Sequence, residues 1–411
     1  MASFGWKILH DKRYVTALWI LVIAWTFVKH NFLSDFHNNY FIFKYTTIHA
    51  LDGENMYGEH PGEYLDKNHY GPFFALLFAP FALSPDWLGH LLWVTFLVGG
   101  LYFVIRQLPM EEWQKNVIML ICFNELLTAA FNVQFNIAIA AMIVYTFVLI
   151  WQRRDVWAPL PILMGTFVKL YGIVGFAFFF FVKNKWKFIL GSVAWTIVLF
   201  VLPMALSSPQ YVIDMYFQWY KYLVIKNTEN VSLISYQDIS IIGFVRRAFQ
   251  DPGIPSSPFL LTGVLLYAIP YFRVKQYKDP AFRFLLLAST LIFPVLFSSS
   301  SESSTYIIVF MGIAVWFVIQ PKVDWKVWSL LGFAFVLGSL NTVDVYPPEI
   351  RTWLRVHSIK ALPCTLIWLR ILYEMTFSNF KGYKVPQLRE EDSSFLQRKK
   401  ADLGDVAIKE A

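Results

Sequence analysis

The feature that most constrains this chain is a succession of long apolar runs. Ten lie at about 15–32, 87–105, 116–131, 135–151, 188–207, 257–272, 281–298, 304–320, 326–343 and 358–376. Runs of this length span a bilayer as helices, because hydrocarbon leaves each backbone polar group only its own helix for a partner. Composition agrees: 57% of residues are hydrophobic and only 15% charged, with a mean hydropathy of +0.48. A soluble domain carries about a quarter charged residues. The net charge of +7 would suit a nucleic-acid partner, but the positives fall between the runs, where they set membrane topology, so no nucleic acid is expected. Cys122 and Cys364 both lie inside apolar runs, which argues against a disulfide framework or a cysteine metal site. The N-terminus "MASFGWKILHDKR" has no small-residue cleavage site and reads as an anchor.

Two further apolar stretches are settled by charge. The basic clusters are Lys7/Lys12/Arg13, Arg106/Lys115, Arg153/Arg154, Lys183/Lys185/Lys187, Arg273/Lys275/Lys278/Arg283, Lys322/Lys326 and the tail from Lys381 to Lys409, and together they hold most of the 35 Lys and Arg. All are assigned to the cytoplasm. Residues 70–85, "YGPFFALLFAPFALSP", then lie at the outer interface as a short helix limited by Pro72, Pro80 and Pro85. Residues 156–182 form two half-spans that turn near Lys169–Gly172, each roughly 18 Å long. The expectation is an all-α polytopic membrane protein of about twelve spans, two of them short, with both termini cytoplasmic. The membrane domain covers 1–376 and a charged cytoplasmic tail covers 377–411. Residues 33–86, 208–256 and 344–357 face outside, and "YVIDMYFQWYKYLV" at 211–224 reads as an amphipathic helix in the outer headgroup layer.

Polar and ionisable groups near a membrane are costly, so each is a candidate for function. On this topology they gather at the outer face. Asp35 follows the first span; Asn132, Gln134 and Asn136 occupy the turn "FNVQFN"; Lys169 sits at the tip of the half-span pair; Gln237, Ser240 and Arg246 lie in "SYQDISIIGFVRRAF"; Glu302 lies in "SSSSESSTY". A carboxylate, a lysine, an arginine and several amides at one depth suit a polar substrate that carries a phosphate. The plain alternative for any one of them is a capping or solvated loop residue.

"DFHNNY" at 35–40, "LDGENMY" at 51–57 and "YGPFFALLFAPFALSP" at 70–85 resemble the first outer loop of glycosyltransferase family 87. "FNVQFN" is similar to the family's G-Q-x-N turn, "MGTFVKLYG" at 164–172 to its G-x-x-x-x-K-x-Y segment, and "SYQDISIIGFVRR" to its N-Q-S-x-x-G-x-x-R segment with Asp238 intervening. The family's last segment often reads S-P-x-S-W-x-H-H; its histidines are absent here and Glu302 stands nearby. The resemblance covers about residues 15–320.

It implies a GT-C type bundle with extracytoplasmic loop helices, set in the cell (inner) membrane with its site facing outward. It implies transfer of a mannose- or arabinose-like sugar from a polyprenyl-phosphate donor to a glycan or glycolipid acceptor. In that reaction Asp35 would be the general base that takes the acceptor's proton, and Lys169 and Arg246 would hold the donor phosphate. Tyr40, Tyr70, Asn132, Gln134, Asn136, Tyr171, Gln237, Ser240 and Glu302 would bind substrate. No cofactor is expected: Asp35 has no adjacent acidic partner, although Asp52, Glu54, Glu59, Glu63 and Asp66 crowd the same loop and could supply a divalent-metal site. The competing class is a transporter or flippase, which would place charges at mid-membrane on broken helices, with Glu125 as its best residue.

Overall fold

The computed structural model describes residues 9–33, 38–235, 237–342 and 345–386. Among them the fold is helical, with one isolated bridge between Asp238 and Ser301. Asp35 and the tail beyond residue 386 lie outside the described residues.

The α-helices run α1 Lys12–Val28, α2 Asn38–Asp52, α3 Phe73–Ala82, α4 Asp86–Gln107, α5 Glu112–Phe131, α6 Asn136–Trp151, α7 Pro159–Val168, α8 Lys185–Val201, α9 Pro209–Asn230, α10 Ile241–Phe249, α11 Ser256–Ala268, α12 Pro280–Leu296, α13 Tyr306–Val318, α14 Trp325–Ala334, α15 Pro348–Val356 and α16 Ala361–Phe377. Each apolar run of the sequence coincides with one of these. Three helical segments are both long and apolar enough to cross a membrane: Lys12–Leu33, Asp86–Gln107 and Lys185–Ala205. Most other apolar helices have 10–17 residues. Several end where regular geometry gives way: α11 passes into a 3₁₀ turn at Pro270, and α14 into a π turn at Phe335–Ser339.

Two kinds of apolar helix can be told apart by what covers them. Every residue of α13 is buried, and α12 and α6 are buried nearly all round. Helices apolar on every face form a core. By contrast α8 leaves Trp186, Leu190, Val193, Ile197 and Val201 uncovered by protein. In water such a face would be a large aggregation-prone patch; against lipid it is at its lowest free energy. Uncovered apolar helix faces of this kind are what a membrane protein presents to lipid.

The ambiguous stretches resolve as short elements. α3 has 10 residues, with Pro72 before it, Pro80 inside it and Pro85 leading into the next helix. The 156–182 segment breaks at Lys169, whose backbone is extended, and continues as a 3₁₀ segment Leu170–Phe181. The halves fold back on each other. A Cβ on Gly172 would stand 2.5 Å from the Gly165 carbonyl carbon, and one on Gly175 would stand 2.7 Å from Ile162. Glycine at 172 is therefore what lets the hairpin close and puts Lys169 at its tip.

A roof covers this tip. α9 buries Val212, Met215, Trp219 and Tyr222, a helical stripe of period three to four. Trp219 Nε1 donates to the His69 carbonyl at 3.0 Å. Gly71 N donates to the Val168 carbonyl at 3.0 Å, and a Cβ on Gly71 would meet the Phe167 carbonyl oxygen at 2.1 Å. Glycine at that position brings Tyr70 beside the end of α7.

Candidate active site

Between the roof and the hairpin tip lies a cavity of about 410 Å³, within the usual range for small-molecule sites. Six sequence-selected residues line it: Tyr70, Gln134, Lys169, Tyr171, Gln237 and Glu302. They come from the loop between α2 and α3, the α5–α6 turn, the hairpin tip, the loop before α10 and the turn before α13. Asn136 stands directly behind, where its Oδ1 accepts from Lys169 Nζ at 2.9 Å and its Nδ2 donates to Thr305 Oγ1 at 3.3 Å.

The α5–α6 turn explains why "FNVQFN" folds as it does. Val133 has φ +55°, the left-handed region that a β-branched residue enters only at a cost of about 1–2 kcal/mol. Its carbonyl accepts from Trp93 Nε1 at 3.2 Å, which helps hold the strained turn. The consequence is that Gln134 faces the cavity, with its Oε1 accepting from Tyr70 Oη at 3.1 Å.

Lys169 and Glu302 are the site's two central charges. The Lys169 ammonium lies 5.0 Å from the centre of the Tyr171 ring. Tyr171 Oη donates toward Ser298 Oγ at 2.9 Å and the Ser300 carbonyl at 2.8 Å, so the serine-rich turn that carries Glu302 is tied to the hairpin tip. No ion pair engages either Lys169 or Glu302 among the described residues.

Four sequence candidates are placed elsewhere. Arg246 does not line the cavity. It is 3% exposed, and its guanidinium donates to Asp238 Oδ2 at 2.8 Å, the Ile254 carbonyl at 3.0 Å and Ser256 Oγ at 2.8 Å. Three internal partners leave it little to offer a phosphate. It holds Asp238, whose neighbour Ile239 donates N–H to the Ser301 carbonyl at 2.6 Å, so Arg246 fixes the strand-like contact between Asp238 and Ser301, the neighbours of Gln237 and Glu302. Ser240 caps α10 by accepting from Gly243 N and donates to Asp238 Oδ1 at 2.6 Å. Tyr40 is buried among aromatic rings, with its hydroxyl 3.4 Å from the Phe81 carbonyl. Asn132 caps α5 at the surface and its carbonyl accepts from Asn39 Nδ2 at 2.8 Å; Asn39 itself lines the cavity.

The cavity is also lined by Lys67, His69, Trp219, Lys226 and Asn230, which sequence reasoning did not select, and by Asp66, which it named only among the loop acids. Lys226 stands 4.0 Å from Asp66 and 3.9 Å from Glu229. Lys67 pairs with Glu59 at 2.8 Å. Burial, with the Lys226 ammonium beside it, pushes His69 down to about 4, so its ring is neutral at physiological pH. A single loop rich in His, Asp and Lys carried the signal, but nothing in its spacing said which residues turn inward.

Cations, amides and aromatic faces around one cavity suit a sugar phosphate: lysines match the charge, amides the hydroxyls, and ring faces the C–H side of a pyranose. The family model for glycosyltransferase family 87 matches residues 68–299, more than half of the chain. No curated protein matches the chain. The matched range contains Tyr70, Gln134, Asn136, Lys169, Tyr171 and Gln237, while Asp35 and Tyr40 precede it and Glu302 follows it. The chain belongs to glycosyltransferase family 87 and is a membrane glycosyltransferase.

Proposed function

We propose that the chain moves a mannose- or arabinose-like sugar from a polyprenyl-phosphate donor to a glycan or glycolipid acceptor at the extracytoplasmic face of the cell membrane, with inversion at the anomeric carbon. The observation that carries this reading is the cavity itself, where Lys169 meets Gln134, Gln237 and Glu302 from segments far apart in sequence.

In this reading the leaving phosphate takes up charge as the glycosidic bond breaks, and Lys169 stabilises it. Lys226 is the second cation, in the role the sequence suggested for Arg246, because it reaches the cavity and Arg246 does not. A fixed cation in a water-poor site lowers such a barrier without reorganising. The anomeric carbon passes through an oxocarbenium-like state, beside which Glu302 supplies negative charge. Gln134, Gln237 and Asn230 hold hydroxyls. Asp35 takes the acceptor's proton as general base. It precedes the cavity-lining Asn39 by four residues, which keeps it within tether length of the site. The step needs no redox or cofactor chemistry, since one C–O bond forms as another breaks and the proton passes to the carboxylate.

A twelve-span GT-C bundle with cytoplasmic termini completes the proposal. Reporters fused after Arg154 and Lys187 should read cytoplasmic and one near Pro85 outside; a cytoplasmic signal at Pro85 would overturn that orientation. Glu125, the residue a transporter would use, is held by Lys360 through both carboxylate oxygens at 2.9 Å, which favours the enzyme reading.

The test is Asp35→Asn in purified protein supplied with a synthetic polyprenyl-phosphate sugar. Asn caps a helix about as well as Asp, so a purely structural Asp35 would leave turnover intact. Loss of a general base lowers the rate about 10²–10⁴-fold. Near-native turnover would remove Asp35 from the mechanism and leave Glu302 as the carboxylate to test.

A further inference from the structure

The outer loop between α2 and α3 carries a second cluster, apart from the cavity. His49, on the last turn of α2, is 1% exposed, yet neither of its ring nitrogens has a hydrogen-bond partner. Glu63 Oε2 stands 2.9 Å from His49 Nε2, and it also lacks a hydrogen bond. The two groups pair with each other, and their separation is also one that neighbouring ligands of a single cation can take.

His60 adjoins this pair, and a turn of its partly exposed ring would bring its lone pair onto the same point. His60 stacks on His49 with ring centres 3.9 Å apart, and its Nδ1 is 3.9 Å from Glu63 Oε2. Its Nε2 faces the Asn55 carbonyl at 3.2 Å. That contact places the proton on Nε2 and frees the Nδ1 lone pair, the orientation that metal-binding histidines adopt. One ligand atom from each of His49, His60 and Glu63 lies within 4.8 Å of the others. Glu54 Oε2 is 3.8 Å from His49 Nε2 but lies outside this group of three, so a water would take a fourth position. Tetrahedral ligands at zinc bond lengths of about 2.0–2.1 Å stand about 3.3 Å apart, and the separations here bracket that value.

We propose that His49 Nε2, His60 Nδ1 and Glu63 Oε2, with a water as the fourth donor, form a zinc site. Two imidazoles and carboxylate oxygen favour Zn²⁺ over Mg²⁺ or Ca²⁺, which select all-oxygen shells. Its role is architectural. Tyr211 Oη of α9 donates to the carbonyls of Glu54 at 2.5 Å and His49 at 3.3 Å, so the site sits where α2, the loop and the roof helix meet. The same loop continues into Asp66, Lys67 and His69 on the cavity wall. Zinc would pin the loop to α2 and steady that wall without touching the reacting sugar.

The test uses the full chain in detergent, stripped with chelator and titrated with zinc chloride under equilibrium dialysis. One zinc per chain is expected, with a higher melting temperature on loading. Cobalt(II) on the unaltered chain should give the intense d–d absorption of a four-coordinate site. His60→Asn and Glu63→Gln are the variants of choice because both side chains are partly exposed; they should melt with the stripped protein and bind zinc more weakly than the about 10–100-fold that outer-shell changes cause. Absence of saturable zinc binding, a weak octahedral cobalt spectrum, or folded variants that bind zinc as tightly as the unaltered chain would each overturn the site. None of these readouts depends on sugar transfer.

Discussion

Glu125 and Lys360 are buried against each other, with the ammonium within 2.9 Å of both carboxylate oxygens and 3.4 Å from Ser303 Oγ. Lys169 and Glu302 share a cavity wall, and no ion pair joins them. Both sets place an acid and a lysine in surroundings poor in water, yet their chemistry differs. The first set spends its charges on itself, which leaves nothing for a ligand. The second keeps them apart and aimed into open volume, where a charged ligand can complete them. Position in the sequence does not separate the two cases: Glu125 and Lys169 both interrupt apolar runs. What separates them is the partner that arrives: Glu125 meets the opposite charge of Lys360, whereas Lys169 meets the neutral amide of Asn136.

The largest expected effect lies on the matched side. Lys360→Met strands the Glu125 carboxylate and should destabilise the fold by about 3–5 kcal/mol. Adding Glu125→Leu removes the stranded charge and should restore most of that loss. Thermal or denaturant unfolding in detergent reads both, and a single variant as stable as the unaltered chain would erase the distinction. Arg246→Lys sharpens the comparison from an intermediate case. It keeps the charge beside Asp238 but loses the forked contacts to Ile254 and Ser256. The expected loss is about 1–3 kcal/mol of stability, with an unchanged KM for the lipid-phosphate donor. A large rise in KM at native stability would return Arg246 to the phosphate site.

The smallest effect concerns pH. His69 in the folded chain titrates near 4 rather than at its ordinary 6.5. The unfolded chain therefore binds the proton first as pH falls. The stability tied to the neutral ring is fully present above pH 6.5 and is lost between about 6.5 and 4. His69→Asn should flatten the stability profile over that window by about 1 kcal/mol or less, given solvent screening of a partly exposed ring. A profile unchanged by the substitution would mean that burial and the Lys226 ammonium do not hold the His69 ring neutral in the folded chain.

Much of the bundle was legible because hydropathy and proline are local signals. The run at 135–151 became α6 at Asn136–Trp151, and the break near Lys169 appeared where glycines and a lysine interrupt an apolar stretch. Span length was less legible. Pro270 and the π turn after α14 shorten helices whose composition alone reads as continuous. The candidate site was half legible for the same reason. Gln134 and Lys169 stand out because polar groups are rare on apolar helices. Lys226 and His69 do not, since they sit in charged segments where every residue looks solvated, and only the packing of α9 on the loop between α2 and α3 turns them inward. Arg246 misled because its partner, Asp238, lies eight residues back across an irregular turn, and no helical or strand period links them.

The most direct measurement is sugar transfer by purified Lys169→Met, with polyprenyl-phosphate mannose and polyprenyl-phosphate arabinose supplied in parallel. An unmatched lysine that serves a ligand should cost little stability and much activity. Turnover with the accepted donor should fall about 10²–10³-fold, the usual loss on removing one preorganised electrostatic contact, while the melting temperature stays close to that of the unaltered chain. Unchanged turnover would contradict the assignment of the donor phosphate to this cavity, and an unfolded variant would place Lys169 with Lys360 among the charges that hold the fold.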